Sequence, residues 1–179
     1  QLDDRSHPAW QRLKAEELLA QQLSQWQSKR ERAALRAPRL PKALNQAGVL
    51  TALQAALPFA LTQAQHRVVA EISQDLERPQ PMHRLLQGDV GSGKTVVAAL
   101  TAMLAIDEGW QCALMAPTEV LAEQHLAKLA HWLPQLHVSC ALLTGSTPAR
   151  RRRELLQDLI NGQLQILVGT HALLEDPVQ

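Results

Sequence analysis

Gly88-Asp-Val-Gly-Ser-Gly-Lys94-Thr95 decides how the rest of the chain is read. The stretch fits G-x-x-x-x-G-K-[ST], the pattern of a phosphate-binding loop. Gly88, Gly91 and Gly93 let the backbone turn tightly and bring its N–H groups against phosphate oxygens with no Cβ in the way. Asp89, Val90 and Ser92 complete the cradle. The Lys94 ammonium then reaches the β- and γ-phosphates, and the Thr95 hydroxyl ligates Mg²⁺. Both flanks suit the motif. Arg84-Leu-Leu-Gln87 reads as a short buried strand leading in, and Val96 to Ile106 as a helix whose positive end faces the anion. A Gly-rich surface turn is the bland alternative, and the strand and helix expected on either side argue against it. A nucleotide, with Mg²⁺ on its phosphates, is the expected ligand.

Downstream, the chain alternates strand and helix. Gln111 to Ala116 reads as a second buried strand and Val120 to Leu133 as a helix. Val138 to Leu143 reads as a third strand, followed by a helix from Pro148 to about Ile160 that Asn161-Gly162 stops. Gln165 to Val168 is a fourth. Such alternation means a parallel α/β sheet with helices on both faces. Ligands on such sheets sit beyond the carboxyl ends of the strands. Gly88, Pro117, Thr144 and Gly169 all fall there.

Upstream, Leu61-Thr62 opens a helix to about Leu76 with Thr62 as its N-cap, and Arg78-Pro-Gln-Pro81 links it to the loop strand. Residues 1–57 differ in character. A helix from Pro8 to about Arg36, ~40 Å long, carries Ala15, Leu18, Leu19, Leu23 and Trp26 as one stripe, with Trp10 and Leu13 on the opposite side. A helix bridging two domains and a frayed helix start both explain that pattern. The basic end Lys29-Arg30-Glu31-Arg32 complements a helix C-terminus and reads as a solvated face. Ala37 to Pro41 breaks the helix, and a shorter one follows with Leu50, Leu53 and Leu57 on one face. The expected division is 1–57 as a helical connecting segment and 58–179 as the nucleotide-binding domain.

Composition sets limits. The formal net charge is +1, so charge alone does not announce nucleic acid. One Phe, four Trp and no Tyr leave few platforms for stacking bases, which directs any nucleic-acid contact to phosphates. Cys112 and Cys140 lie far apart in expected buried strands, which suits a reduced, cytoplasmic protein without a disulfide or zinc framework. No signal peptide or apolar run of membrane-spanning length is present.

Several strand-end segments carry a resemblance. Leu57-Pro-Phe59-Ala-Leu-Thr-Gln-Ala-Gln65 precedes the loop, and Met115-Ala-Pro117-Thr118-Glu119-Val-Leu-Ala-Glu-Gln124-His125 follows the second strand. Thr144-Gly145 and Gly169-Thr170-His171 follow the third and fourth. Each alone is weak. Their order around one loop resembles superfamily 2 helicases, and more closely the RecG family of bacterial ATP-dependent DNA helicases. Ser92, Leu61-Thr62 and Ala116-Pro117 favour that family over its neighbour, the transcription–repair coupling translocases.

The resemblance implies a RecA-like motor domain that uses ATP and Mg²⁺ and remodels branched DNA such as forks and junctions. It implies that Gln65, with Phe59 beside it, contacts adenine. It also implies that Pro117, Thr118, Glu119, Gln124, His125, Thr144, Gly145, Gly169, Thr170 and His171 lie along the phosphates of one DNA strand. The long first helix would join a DNA-binding wedge domain to the motor, in a cytoplasmic, monomeric parent. The family's acidic box, second motor domain and arginine fingers have no counterpart before Gln179, so an incomplete motor without turnover of its own is expected. Glu175-Asp176 has no apolar strand ahead of it and does not replace the box.

Arg150 to Arg153 fall in the first turns of a helix, where cations oppose the dipole. Local stability does not explain them. A phosphate partner would, while a solvated helix start is the ordinary reading. Two other classes fit parts of the pattern. A small-molecule P-loop kinase would use these arginines as a lid but has no role for Gln65 or Pro117-Thr118-Glu119. A non-catalytic nucleotide-binding module would bind ATP without DNA-stimulated turnover.

Overall fold

A computed structural model describes residues 8–40 and 48–174. The remainder, including Pro41 and the Glu175-Asp176 pair, lies outside the described residues. By packing, the chain divides into two units: 1–39 with 78–83, and 40–77 with 84–179.

The first unit is built on α1 (Pro8–Ala34), with Pro8 at the first helical position, where its missing N–H costs nothing. The helix is continuous from Pro8, so Trp10 and Leu13 sit on formed helix and not on a frayed start. None of its residues is buried, and Leu18, Leu19, Leu23 and Trp26 are all exposed. Arg30 stacks over the Trp26 ring at 5.5 Å. The 37–40 link is extended, and the Ala37 N–H donates to the Pro79 carbonyl at 3.0 Å.

In the second unit, α2 (Val49–Ala56) buries Leu50 and Leu53, with Leu57 at its cap. It packs on α4 (Lys94–Asp107). Its N-cap, Gly48, has no side chain to offer, so the Asp107 carboxylate from the far end of α4 accepts the Val49 and Leu50 N–H groups at 2.7 and 3.2 Å. A Cβ at Gly48 would collide with that carboxylate. The packing division thus falls between Arg39 and Leu40, whereas sequence patterning placed it after residue 57. Apolar burial of α2 against α4 moves the short helix into the nucleotide-binding unit.

Helix α3 (Gln63–Leu76) starts at Thr62, as expected. β1 (Cys112–Met115), β2 (Cys140–Leu143) and β3 (Ile166–Gly169) form one parallel sheet in the order β1-β3-β2. α5 (Glu119–Trp132) connects β1 to β2, and α6 (Ala149–Ile160) connects β2 back to β3. These crossovers run in opposite directions across the sheet, so right-handed connections place α5 and α6 on opposite faces. Leu155 and Leu159 of α6 pack with Leu143, Leu167 and Ala141 on one face. On the other, the Cys112 thiol lies 3.5 Å from the Ala102 carbonyl of α4.

One expected strand is missing. Residues 84–87 form neither helix nor strand, and Leu85 is 80% exposed. A strand needs a ladder partner, and among the described residues no backbone hydrogen bond joins 84–87 to the sheet. The segment is tethered through Arg84 instead, whose guanidinium donates to Asp75 at 2.6 Å and to Glu71 at 2.9 Å on α3. β1 is half-buried where full burial was expected, because α6 covers β2 and β3 and leaves Met115 exposed.

Both cysteines pair with Ile166, one on each side of β3. Two strand spacings of ~4.8 Å separate them, which exceeds the ~7 Å limit for a disulfide. They are free, and burial pushes the Cys112 thiol up to about 11. No helix among the described residues is long and apolar enough to cross a membrane.

Candidate nucleotide-binding loop and strand-end cluster

The loop from Gly88 to Gly93 is a turn closed by the Ser92 N–H on the Asp89 carbonyl at 3.1 Å. Gly91 and Gly93 both have φ of 84°, which favours glycine. A Cβ at Gly93 would also run into the Gln65 side-chain nitrogen. Val90 at the apex is fully exposed. Gly93 caps α4 in a left-handed conformation with no side-chain cap. Among the described residues, the Lys94 and Thr95 N–H groups make no hydrogen bond. Orphan donors at the positive end of a helix fit an anion.

Lys94 supplies the cation. Its Nζ donates to the Gly88 and Asp89 carbonyls at 2.6 and 2.7 Å, so the ammonium is folded onto the loop's own oxygens. Phosphate oxygens are stronger acceptors for an ammonium than neutral carbonyls. The Thr95 side chain stands one residue further along α4. Among the described residues, no group of three or more His, Cys, Asp or Glu side chains is gathered to hold a metal.

Gln65 joins this loop to α3. Its Oε1 accepts from the Thr62 N–H at 2.8 Å while Thr62 Oγ1 accepts from the Gln65 N–H at 3.2 Å, a reciprocal capping box. Its Nε2 donates to the Ser92 carbonyl at 3.0 Å. An amide has two donors and two lone pairs, so one of each remains. Phe59 meets Trp132 edge-on, with ring centroids 6.5 Å apart.

The strand-end residues converge. Met115 and Leu143 flank Gly169 in register, so all three strands finish at one edge. Gly169 is buried, and a Cβ there would collide with the Leu143 carbonyl. Thr118 caps α5 by accepting the Leu121 N–H at 3.3 Å. Glu119 then reaches across to the next loop, accepting from the Ser146 hydroxyl at 2.9 Å and the Ser146 N–H at 3.2 Å. Those bonds hold its carboxyl below the usual carboxylate range. The Thr144 and Ser146 hydroxyls meet at 2.9 Å. Ser146 is thus part of the cluster, although no motif or spacing marked it.

Exposure sorts the set. Thr144 and Thr170 are buried, whereas Pro117, Thr118, Gln124, Gly145 and His171 face solvent. His125 is half-buried, and its Nδ1 has no partner among the described residues. Burial first, and Lys128 second, lower its pKa.

Residues 62–179 match the DEAD/DEAH box helicase family. The chain belongs to that family. Within it the likeness is to RecG, as the motifs indicated. The ATP-dependent DNA helicase RecG of Synechocystis sp. is 60% identical over 122 residues, covering 68% of this chain and 15% of that protein. The Pasteurella multocida RecG is 47% identical over 178 residues, covering 99% of this chain and 25% of that protein. Among solved structures, RecG bound to a three-way DNA junction matches with a TM-score of 0.79 and 39% identity, over 92% of this chain and 22% of that one. The chain therefore spans a quarter or less of these relatives' length. A helicase of this family uses ATP, and the fold is the incomplete RecA-like α/β sheet expected from the sequence.

Proposed function

We propose that this chain is the ATP-binding part of a DNA motor that remodels branched DNA in recombination and repair. The observation that carries the reading is the pairing of two features in one unit. A lysine is folded onto a phosphate-loop that has orphan N–H donors, and helicase-like segments gather at the carboxyl edge of one parallel sheet. ATP displaces the Gly88 and Asp89 carbonyls as partners of Lys94 and takes the N–H groups at the start of α4. The Thr95 hydroxyl would hold Mg²⁺, which would supply neutralisation of the phosphate charge. Gln65 contacts adenine, with Phe59 nearby.

Glu119 locks the loop after β1 to the loop after β2, so that the exposed Pro117, Thr118, Gln124, Gly145 and His171 present one surface to the phosphates of a DNA strand. The buried Thr144, Gly169 and Thr170 position that surface from beneath. Residues 1–39 connect this unit to DNA-binding parts of a longer, cytoplasmic bacterial protein. Phosphoryl transfer also needs an acidic metal ligand and an arginine finger, and we assign neither to these residues. The chain alone then binds ATP without turning it over.

Lys94→Ala tests the nucleotide site. Removing a charge-assisted bond to phosphate costs on the order of 1.5–3 kcal/mol, at least about tenfold in affinity. Titration with a fluorescent ATP analogue should show that loss. Unchanged affinity would make the loop a structural turn.

A further inference from the structure

Arg150, Arg151, Arg152 and Arg153 open α6 in succession. Nothing in the helix itself favours them. Cations in a first helical turn oppose the macrodipole, and adjacent guanidiniums repel one another. Within the helix, Glu154 accepts from Arg150 Nε and from Arg151 Nη1, each at 3.2 Å. Those side chains remain 89% and 56% exposed, so the pairs contribute little. Arg153 Nε donates to the Ala149 carbonyl at a long 3.4 Å.

The place of the run matters as much as its charge. Only Pro148 and Ala149 separate it from the Thr144–Thr147 loop, which belongs to the strand-end cluster. That loop is pinned by Glu119 on Ser146 and by the Thr144 N–H on the Thr147 hydroxyl at 2.9 Å. Leu155 anchors α6 in the core on the side away from Arg150 and Arg153. Arg150 and Arg153, three apart, lie side by side on the helix surface. The arginines therefore stand on a fixed platform next to the surface assigned to a DNA strand.

We propose that Arg150, Arg151 and Arg153 form a sequence-independent contact to the DNA phosphate backbone, continuing the strand grip beyond Gly145. This inference rests on the DNA-motor reading above. Glu154 is the internal stand-in: its carboxylate holds Arg150 and Arg151 when no phosphate is there and competes with DNA for them.

The test is fluorescence anisotropy of labelled branched DNA with the natural-length protein across a NaCl series. Each arginine–phosphate pair that is removed flattens the slope of log K against log salt by ~0.7–0.9. Arg150→Gln with Arg153→Gln should therefore flatten it by ~1.4–1.8 and leave ATP-analogue affinity unchanged. Both residues are exposed and Gln is a comparable helix former, so the fold is kept. Glu154→Gln should act in the opposite direction and tighten DNA binding at low salt. A double variant with the wild-type slope would overturn the proposal while leaving the motor reading intact. So would loss of binding to an acidic protein segment with DNA binding unchanged. Wild-type protein that does not bind branched DNA at all would overturn the motor reading itself.

Discussion

Gln65 makes a structural tether and is proposed to contact adenine, and a pair of substitutions separates the two. Its amide ties α3 to the loop, with Oε1 on the Thr62 N–H and Nε2 on the Ser92 carbonyl. It keeps one lone pair and one N–H in hand, the complement that adenine N6 and N7 require. Gln65→Ala removes both internal bonds. They are neutral and solvent-exposed, so about 0.5 kcal/mol each is appropriate, and a loss of roughly 1 kcal/mol lowers Tm by about 2–4 °C in a chain of this size. Gln65→Glu keeps the acceptor for Thr62, since Glu serves a capping box as well as Gln, but loses every donor. It should keep the Thr62 bond, lose the Ser92 bond and so hold about half of that stability, and lose base discrimination. A bidentate Gln–adenine pair is worth ~1–3 kcal/mol, about fivefold to 150-fold in favour of ATP over GTP. Thermal melts and competition of ATP and GTP against a fluorescent analogue measure both effects. If Gln65→Glu keeps the wild-type preference, Gln65 does not read the base. If Gln65→Ala melts with wild type, the tether is not holding α3 to the loop.

Other expected outcomes concern the long-range bonds. Asp107→Ala deprives α2 of the carboxylate that caps it and should cost ~1–2 kcal/mol. That is a fall of roughly 2–8 °C in Tm, with Asp107→Asn recovering part of it. A melt equal to wild type would mean the cap contributes nothing. Glu119→Gln should weaken the Ser146 lock with a definite pH signature. The folded-state carboxyl is held low by Ser146, so its contribution is present above the unfolded carboxylate value and is lost as pH falls through the lowered one. The Tm gap between wild type and Glu119→Gln should close on acidification below about pH 4. A gap that widens there would reverse the assignment.

Much of this was legible because the signals are local. The loop pattern, the Thr62 cap, the Asn161-Gly162 stop and the alternation of strand and helix each lie within a few residues. The Thr62 cap was read from sequence, but the Gln65 side chain that completes its capping box was not, and the same amide reaches Ser92 from 27 residues away. Asp107 capping α2 and Glu119 holding Ser146 span 58 and 27 residues, and no periodicity announces such bonds. Residues 84–87 have strand composition but no ladder partner, which composition does not record. The unit boundary moved from 57 to 39 because burial of Leu50 and Leu53 on α4 is a tertiary fact.

In the proposed reading these residues bind ATP for a DNA motor whose remaining catalytic parts lie elsewhere in a longer protein. Phosphate release, measured with and without branched DNA, tests it most directly when the 179-residue chain is run beside the natural-length protein. DNA should strongly stimulate release by the natural-length protein, Lys94→Ala should abolish it, and the shorter chain should show none although it binds the ATP analogue. Robust DNA-dependent release by the shorter chain, or a natural-length protein indifferent to DNA, would contradict that reading.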